Sequence, residues 1–289
     1  MTDGFLNVLK PPGMSSHDVI GFVRKVFKIK KVGHAGTLDP GAAGVLPVAV
    51  GRAVRLLEYF SAVDKAYRAE VLFGVATDSG DDTGTVIDEQ TDFVMPPREV
   101  LYDAMQQLTG RIVQIPPAYS AIKINGKRAC DLVRQNIDVE IPSREVTIYR
   151  LELLERRSST LLIDVECSKG TYIRTLCADL GERLGIPATM SFLVRTRVGD
   201  FNLRDACTLE ELAEVRDQAL LEPDAFLSHI PAYTIADERI IAFKNGLSTH
   251  DRQARFEQGL VRVYGNCGFI GVGSFNPATQ SISPEKVFL

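Results

Sequence analysis

Long apolar runs are missing from this chain of 289 residues. None approaches the roughly 20 residues that would carry a helix across a bilayer. The opening, MTDGFLNVLKPPG, lacks the basic start and apolar stretch of a secretory signal. Cysteine is sparse: five residues, at 130, 167, 177, 207 and 267, odd in number and nowhere spaced as CxxC. That pattern argues against a disulfide framework or structural zinc and suits a reducing cytoplasm, the expected location. The four histidines, at 17, 34, 229 and 250, make no HxxxH pair, so metal catalysis finds no support. Basic residues are not in excess either: 33 Lys and Arg against 37 Asp and Glu leave a net charge of −4. Coating nucleic acid indiscriminately needs a broad basic surface, which this balance disfavours.

What is present is ordinary in amount and uneven in placement. A hydrophobic share of 45% and a charged share of 24% are globular values. The length suits one large domain with a small one attached. Residues 24–31, RKVFKIKK, hold five basic groups and no acid, while acids gather in 78–92 and 205–224. A local basic groove is therefore compatible with the overall charge.

Patterning predicts a mixed chain. FLNVLK reads as a strand halted by Pro11, Pro12 and Gly13. Ser15 or Ser16 can cap a following helix whose stripe is Val19, Phe22, Val23 and Val26. VLPVAV is a short apolar run, and Leu56, Leu57 and Phe60 suggest a helix. AYRAEVLF alternates, with Tyr67, Ala69, Val71 and Phe73 on one face. An acidic loop spans 77–92, and a helical stripe from Val100 to Leu108 follows, with Gly110 placed as its C-terminal cap. Further on come a strand over 119–124, an Asn125-Gly126 turn, and a helix over 127–135. Strands over 145–154 and 160–167 precede a helix over 171–184, and Thr208 with Glu211 forms a capping box. Strands and helices interleave without a regular βαβ repeat, which predicts an α+β fold with helices on the faces of a sheet. From Pro231 the texture turns β-rich, so the expected domains are 1–230 and 231–289.

Stock motifs fail. The glycines at 265, 268, 271 and 273 are in the wrong order for a dinucleotide fingerprint, and Ala42 and Ala43 stand where a phosphate loop needs Lys and Ser or Thr. Asp78 to Gly84 misplaces the glycine of a calcium loop. Asp82-Thr83-Gly84 occurs once, whereas aspartic-protease chemistry needs two carboxylates, so an acidic turn is the better reading. The loop 31–47, KVGHAGTLDPGAAGVLP, is different. Four glycines, two prolines, one histidine and a single aspartate fill one connection. The glycines permit unusual dihedrals or close approach, and Pro40 holds Asp39 extended, presenting its carboxylate.

That loop closely resembles the signature loop of the TruB family, the bacterial tRNA pseudouridine-55 synthases. The resemblance also takes in LKPPGMSSHDV, GRAVRLLEY, KAYRAEVLFG, TDSGDDTG, QIPPAYSAIKINGKR, CSKGTYIRTL and LVRTRVGDF, in family order across about 200 residues. It implies a mixed, largely antiparallel sheet flanked by helices, the pseudouridine-synthase fold, and a small β-rich PUA-like RNA-binding domain at the C-terminus. It implies base flipping and covalent catalysis without metal or organic cofactor. Asp39 matches the nucleophile and Arg174 its cationic partner. Tyr67 matches the tyrosine that lies against the base and is a candidate for proton abstraction at C5. Tyr172 and Leu193 match the walls of the uridine pocket, and His34 the residue that enters the vacated stack. Lys10 resembles part of a KP motif supporting the loop, and is grouped with the substrate-binding residues. The basic helix and Lys30 and Lys31 would meet phosphates. The implied partner is the T-arm of tRNA, with no membrane and no obligate protein partner, the chain acting as a monomer. Cys130 and Ala43 depart from the family pattern without touching the proposed chemistry. A scaffold kept only for binding or folding RNA, and a different specificity at the same bond, are the rival readings.

Overall fold

The structure is a computed structural model that describes residues 3–288 apart from 121, 125, 134, 136, 138, 139 and 267. The chain opens with β1 (Gly4–Lys10), α1 (Ser16–Phe27), β2 (Val32–His34) and β3 (Ala43–Val50). Ser15 caps α1 in a capping box with Asp18, two orphan amides being satisfied reciprocally. Ser16 is taken by another task, described below. Gly51–Ala62 winds as a 3₁₀ helix where an ordinary helix was expected.

Next come β4 (Lys65–Phe73), β5 (Val75–Thr77), β6 (Val86–Glu89), α2 (Arg98–Gln107) and β7 (Gly110–Gln114). β4 alternates as its sequence predicts, burying Tyr67, Ala69, Val71 and Phe73. The stretch expected as an acidic loop, 77–92, carries β6 and closes a hairpin with β5. Gly110 does not cap α2: Leu108 does, and Gly110 opens β7 at φ +92°. A short hairpin, β8 (Lys123–Ile124) and β9 (Lys127–Arg128), replaces the longer strand predicted over 119–124, and a helix, α3 (Ala129–Val133), follows. Asn125 of the predicted turn lies outside the described residues, as does Cys267.

β10 (Arg144–Arg156), β11 (Thr160–Cys167), α4 (Ile173–Leu184), β12 (Ala188–Val198), β13 (Phe201–Asn202) and α5 (Leu209–Val215) complete the larger part. Gly185 at φ +67° ends α4, and Thr208 with Glu211 caps α5, both as the sequence predicts. Among the described residues these strands make one nine-stranded sheet, ordered β1-β3-β12-β4-β11-β10-β7, with β2 and β13 attached at β3 and β12. Every pairing is antiparallel except β3 with β12. That parallel contact is short, Val194 opposite Ala43 and Arg195 opposite Gly44. It depends on glycine: Gly44 sits at φ +115°, and a Cβ there would collide with the Arg195 backbone.

α2 and α4 cover one region of the sheet, burying Leu101, Met105, Leu176 and Leu180 against Ala69, Val71, Ile163 and Val165. α1 and α5 pack Val19, Ile20, Val23 and Leu212 on Leu6, Val8, Leu46 and Val48. Each such side chain contributes about 1.5–3 kcal/mol on leaving water. No helix of the described residues is long and apolar enough to cross a membrane.

A second sheet comprises β14 (Ala232–Thr234), β15 (Thr249–His250), β16 (Gly259–Gly265), β17 (Gly268–Asn276) and β18 (Ser281–Val287), ordered β14-β16-β17-β18-β15. With α6 (Asp237–Lys244) it closes its own core around Ile240, Phe243, Val261, Val263, Phe275 and Ile282. β18 begins at Ser281, which brings Ile282 into that core. The two sheets are joined by an aromatic contact: Phe5, Phe60, Phe201 and Phe226 cluster with Val272 and Phe288. Lys286 pairs with Glu58 at 3.0 Å beside it.

Candidate active site

The glycine-rich connection between β2 and β3 is held from below and from the side. Lys10, fully buried, donates from Nζ to the carbonyls of Pro11 at 2.9 Å, Pro40 at 3.2 Å and Ala42 at 2.6 Å. The Ser16 hydroxyl accepts the Leu38 amide at 2.9 Å and reaches the Leu38 carbonyl at 3.1 Å. Arg195, 1% exposed, donates to the carbonyls of Val45 at 2.8 Å, Gly36 at 3.0 Å and Thr37 at 3.3 Å. Leu38 is buried as an apolar anchor, and the next side chain, Asp39, is left 41% exposed. Backbone that would otherwise be mobile is thus fixed by two cations and a hydroxyl, and it presents one carboxylate.

Arg174 meets that carboxylate from the first turn of α4. Its Nε lies 3.2 Å from Asp39 Oδ2, and its side chain is only 6% exposed. Nη1 donates to the Ser79 carbonyl at 2.9 Å and lies 3.5 Å from Asp81 Oδ2, while Nη2 donates to the Tyr119 carbonyl at 3.0 Å. A carboxylate in a partly dry site needs such a cation beside it. A guanidinium with its remaining donors engaged cannot swing away from it.

Tyr67 and Leu193 come from neighbouring strands, β4 and β12, and both are nearly buried, at 8% and 7% exposure. Together with Asp39, Tyr172 and Arg174 they line one cavity of about 360 Å³. Burial pushes the Tyr67 phenol above its usual range, and the Arg195 guanidinium opposes that shift. The phenol is therefore neutral before any reaction. Tyr172 is fixed by Gln114, which accepts its amide at 3.0 Å and donates to its carbonyl at 3.3 Å. The Arg144 guanidinium lies 5.4 Å from its ring centroid.

His34 stands apart, in an adjoining recess of about 480 Å³ with Leu57, Phe60, Lys65, Arg144 and Lys169. Burial lowers its pKa from the usual 6.5, with Arg195 adding to the effect, so the ring is neutral near pH 7. Its Nδ1 is buried without a partner among the described residues. Lys10 also stands apart, and here the sequence-based grouping needs correction. A fully buried ammonium spending its donors on three carbonyls has none for substrate, so Lys10 supports the loop. Burial depresses its pKa to about 8 against the opposing charge of Asp39.

Two contributors escaped the sequence reading. Arg195 enters the sequence reading only as part of LVRTRVGDF, yet it is the buried cation opposite Tyr67. It lies two residues from Leu193 on the same face of β12, but the bulges of that strand hide the alternation from the sequence. Asp81 was passed over for its neighbour Asp82. Its Oδ1 accepts the Ser79 hydroxyl at 2.8 Å and the Thr83 hydroxyl at 2.6 Å, leaving Oδ2 for Arg174. The loop that carries it is stitched to β12, Asp82 donating to the Met190 carbonyl at 3.1 Å and Met190 to the Gly80 carbonyl at 3.1 Å. Among the described residues no group of three or more His, Cys, Asp or Glu is arranged to hold a metal ion.

Comparison with known proteins agrees with this geometry. Residues 24–173 match the model of the TruB family pseudouridylate synthase N-terminal domain, and residues 174–227 that of the tRNA pseudouridylate synthase B C-terminal domain. A tRNA pseudouridine synthase B from Caldanaerobacter subterraneus is 44% identical over 289 residues, covering 99% of each chain. One from Symbiobacterium thermophilum is 50% identical over 249 residues, 85% of this chain and 83% of that one. Among solved structures, one described as a Cbf5-Nop10-Gar1 complex superposes with a TM-score of 0.78 at 27% identity, covering 100% of this chain and 85% of that one. With matches that span the loop around Asp39 together with Tyr67, Arg174 and Arg195, this chain belongs to the TruB family of pseudouridylate synthases.

Proposed function

We propose that the protein isomerises uridine 55 in the T-arm of tRNA to pseudouridine. The observation that carries this reading is the Asp39–Arg174 pair at 3.2 Å, set in a cavity walled by Tyr67, Tyr172 and Leu193. The cavity can take a flat base between an aromatic and an aliphatic wall, with a carboxylate beside the sugar.

A uridine stacked in the T-loop has to leave its stack to reach Asp39, at a cost of a few kcal/mol. The neutral His34 ring, in the adjoining recess, fills the place it leaves by stacking. Asp39 attacks the nucleoside, at C1′ or on the base, and the C1′–N1 bond breaks. Covalent catalysis divides one hard step into two easier ones. The uracil turns within the cavity, and C5 forms its bond to C1′. C5 then gives up its proton, N1 gains one, and Asp39 is released, so atoms and electrons balance without an outside reagent. Tyr67, neutral at the start, gives its proton to N1 and becomes a phenolate stabilised by the Arg195 guanidinium, and that phenolate takes the C5 proton and is a phenol again. Arg24, Lys25, Lys28, Lys30 and Lys31 are exposed along and after α1 and contact phosphates, so affinity falls as salt rises. The small C-terminal sheet adds RNA contact. A tRNA substrate supports work in the cytoplasm.

The test is incubation of purified protein with unmodified tRNA, followed by chemical mapping of pseudouridine. A single new pseudouridine at position 55 is expected. Binding without modification would leave an RNA-binding scaffold, free uracil would indicate a hydrolase, and modification elsewhere would refute the specificity.

A further inference from the structure

Ser120 stands where the Asp39 cavity meets a second cavity of about 460 Å³. Asp39, Ser120 and Arg174 border both, whereas Tyr67 and Leu193 border only the first. Ser120 thus lies at the carboxylate end, away from the slot for the base. The residue is 5% exposed, and its hydroxyl oxygen is buried without a hydrogen-bond partner among the described residues. Burying a hydroxyl with its bonds unmade is costly, and most such groups in folded proteins are satisfied.

The residue is also held in place. Its neighbour Tyr119 offers its carbonyl to Arg174 Nη2 at 3.0 Å, and upstream the Ile115 carbonyl accepts from the Thr175 hydroxyl at 3.2 Å. Arg174 and Asp81, the charged groups beside Asp39 at that end, already have protein partners. Arg174 divides its donors among Asp39, Ser79, Asp81 and Tyr119. Asp81 Oδ1 takes two hydroxyls.

Building on the uridine-isomerase reading, we propose that Ser120 is a substrate-contacting residue whose hydroxyl bonds the ribose 2′-hydroxyl of the flipped nucleoside. C1′ and N1 are bonded to each other, so the sugar lies at the carboxylate end whichever centre Asp39 attacks. The 2′-hydroxyl is one carbon from C1′. A serine hydroxyl both donates and accepts, as a sugar hydroxyl does, and brings no charge to disturb the Asp39–Arg174 pair. Its single rotor lets it turn toward the cavity when a partner arrives. The contact would help the site tell RNA from DNA at the target nucleotide.

The experiment compares Ser120→Ala with wild type in three measurements. Thermal unfolding of the free protein should show no loss of stability, because the deleted hydroxyl makes no bond there. Pseudouridine formation on a T-arm hairpin should fall about three- to tenfold, the size of one hydrogen bond between uncharged groups. In an Asp39→Asn background, the same change should weaken binding of a uridine hairpin about three- to tenfold. It should leave the Kd of a hairpin with 2′-deoxyuridine at the target position unchanged. Ser120→Cys, near in size and poor in hydrogen bonding, should move activity and affinity in the same direction. Unchanged turnover, equal weakening for both hairpins, or a fall in melting temperature alongside activity would each overturn the proposal. If wild type forms no pseudouridine, the isomerase reading fails, and the two hairpin affinities still judge Ser120 separately.

Discussion

Tyr67 and Arg195 face each other across adjacent antiparallel strands, paired residue for residue in the register of β4 and β12. The pairing puts a fully buried guanidinium beside the phenol, and both line the cavity that holds Asp39. The same guanidinium holds the carbonyls of Gly36, Thr37 and Val45. One residue therefore holds the loop that presents Asp39 and sets the charge felt by the tyrosine.

Arg195→Met is expected to lower unfolding free energy by about 3 kcal/mol, since the buried Val45 carbonyl and the partly buried carbonyls of Gly36 and Thr37 lose their donor. Arg195→Lys should recover little, because an ammonium lacks the planar fork that reaches several acceptors at once. Urea unfolding of the two variants checks this. Stability equal to wild type in either would show that the loop carries its own support.

Asp39→Asn or Asp39→Ala should leave tRNA affinity nearly intact and reduce turnover on the order of 10³-fold or more, as loss of a nucleophile does. Tyr67→Phe keeps the ring and loses the hydroxyl, so turnover should drop at least about 10²-fold with Kd little changed. Single-turnover assays with matched binding curves separate the two effects. Wild-type turnover by Tyr67→Phe would reduce the tyrosine to packing.

Asp81→Asn removes one of the two carboxylates on Arg174 while keeping its size and its hydroxyl partners. Turnover should fall about ten- to a hundredfold, the worth of a hydrogen bond to a charged group, with binding of tRNA unaffected. A variant that lost affinity as much as turnover would mean that Asp81 shapes the loop and not the arginine.

Lys10 gives a pH signature. Burial brings its pKa from 10.5 to about 8 in the folded protein. Between those values the unfolded chain holds a proton that the folded one has released, so stability rises with pH across the window. Below pH 8 both states are protonated and the cost of the buried charge is fully felt. Wild type should therefore gain stability relative to Lys10→Met as pH rises from 8 toward 10.5. A difference that stayed flat over that range would place the ammonium in water.

Much of the local structure was legible before any coordinates. The Ser15–Asp18 and Thr208–Glu211 boxes, the glycine stop at 185 and the alternation of Tyr67, Ala69, Val71 and Phe73 all follow from residues within a few positions of each other. The oddity of the loop around Asp39 was also visible, because so many glycines around one acid is not how an ordinary turn is built. β12 was harder to see. Its bulges at Met190/Phe192 and Arg195/Arg197 interrupt the two-residue period by which strands are recognised.

By itself, then, the amino-acid order determined the caps, the turns, the alternating strands and the identity of the acid that the loop presents. Only the tertiary structure decided which side chains share that acid's cavity: Arg174 from a helix, Asp81 from a hairpin loop, Ser120 from a connection, Arg195 opposite Tyr67. The same folding step withdrew Lys10 from the surface and turned it into loop support. Propensity and periodicity act over one or two turns of chain. Strand pairing and burial are settled by the whole core at once, so a charge at position 195 and a phenol at 67 carry no local mark of each other.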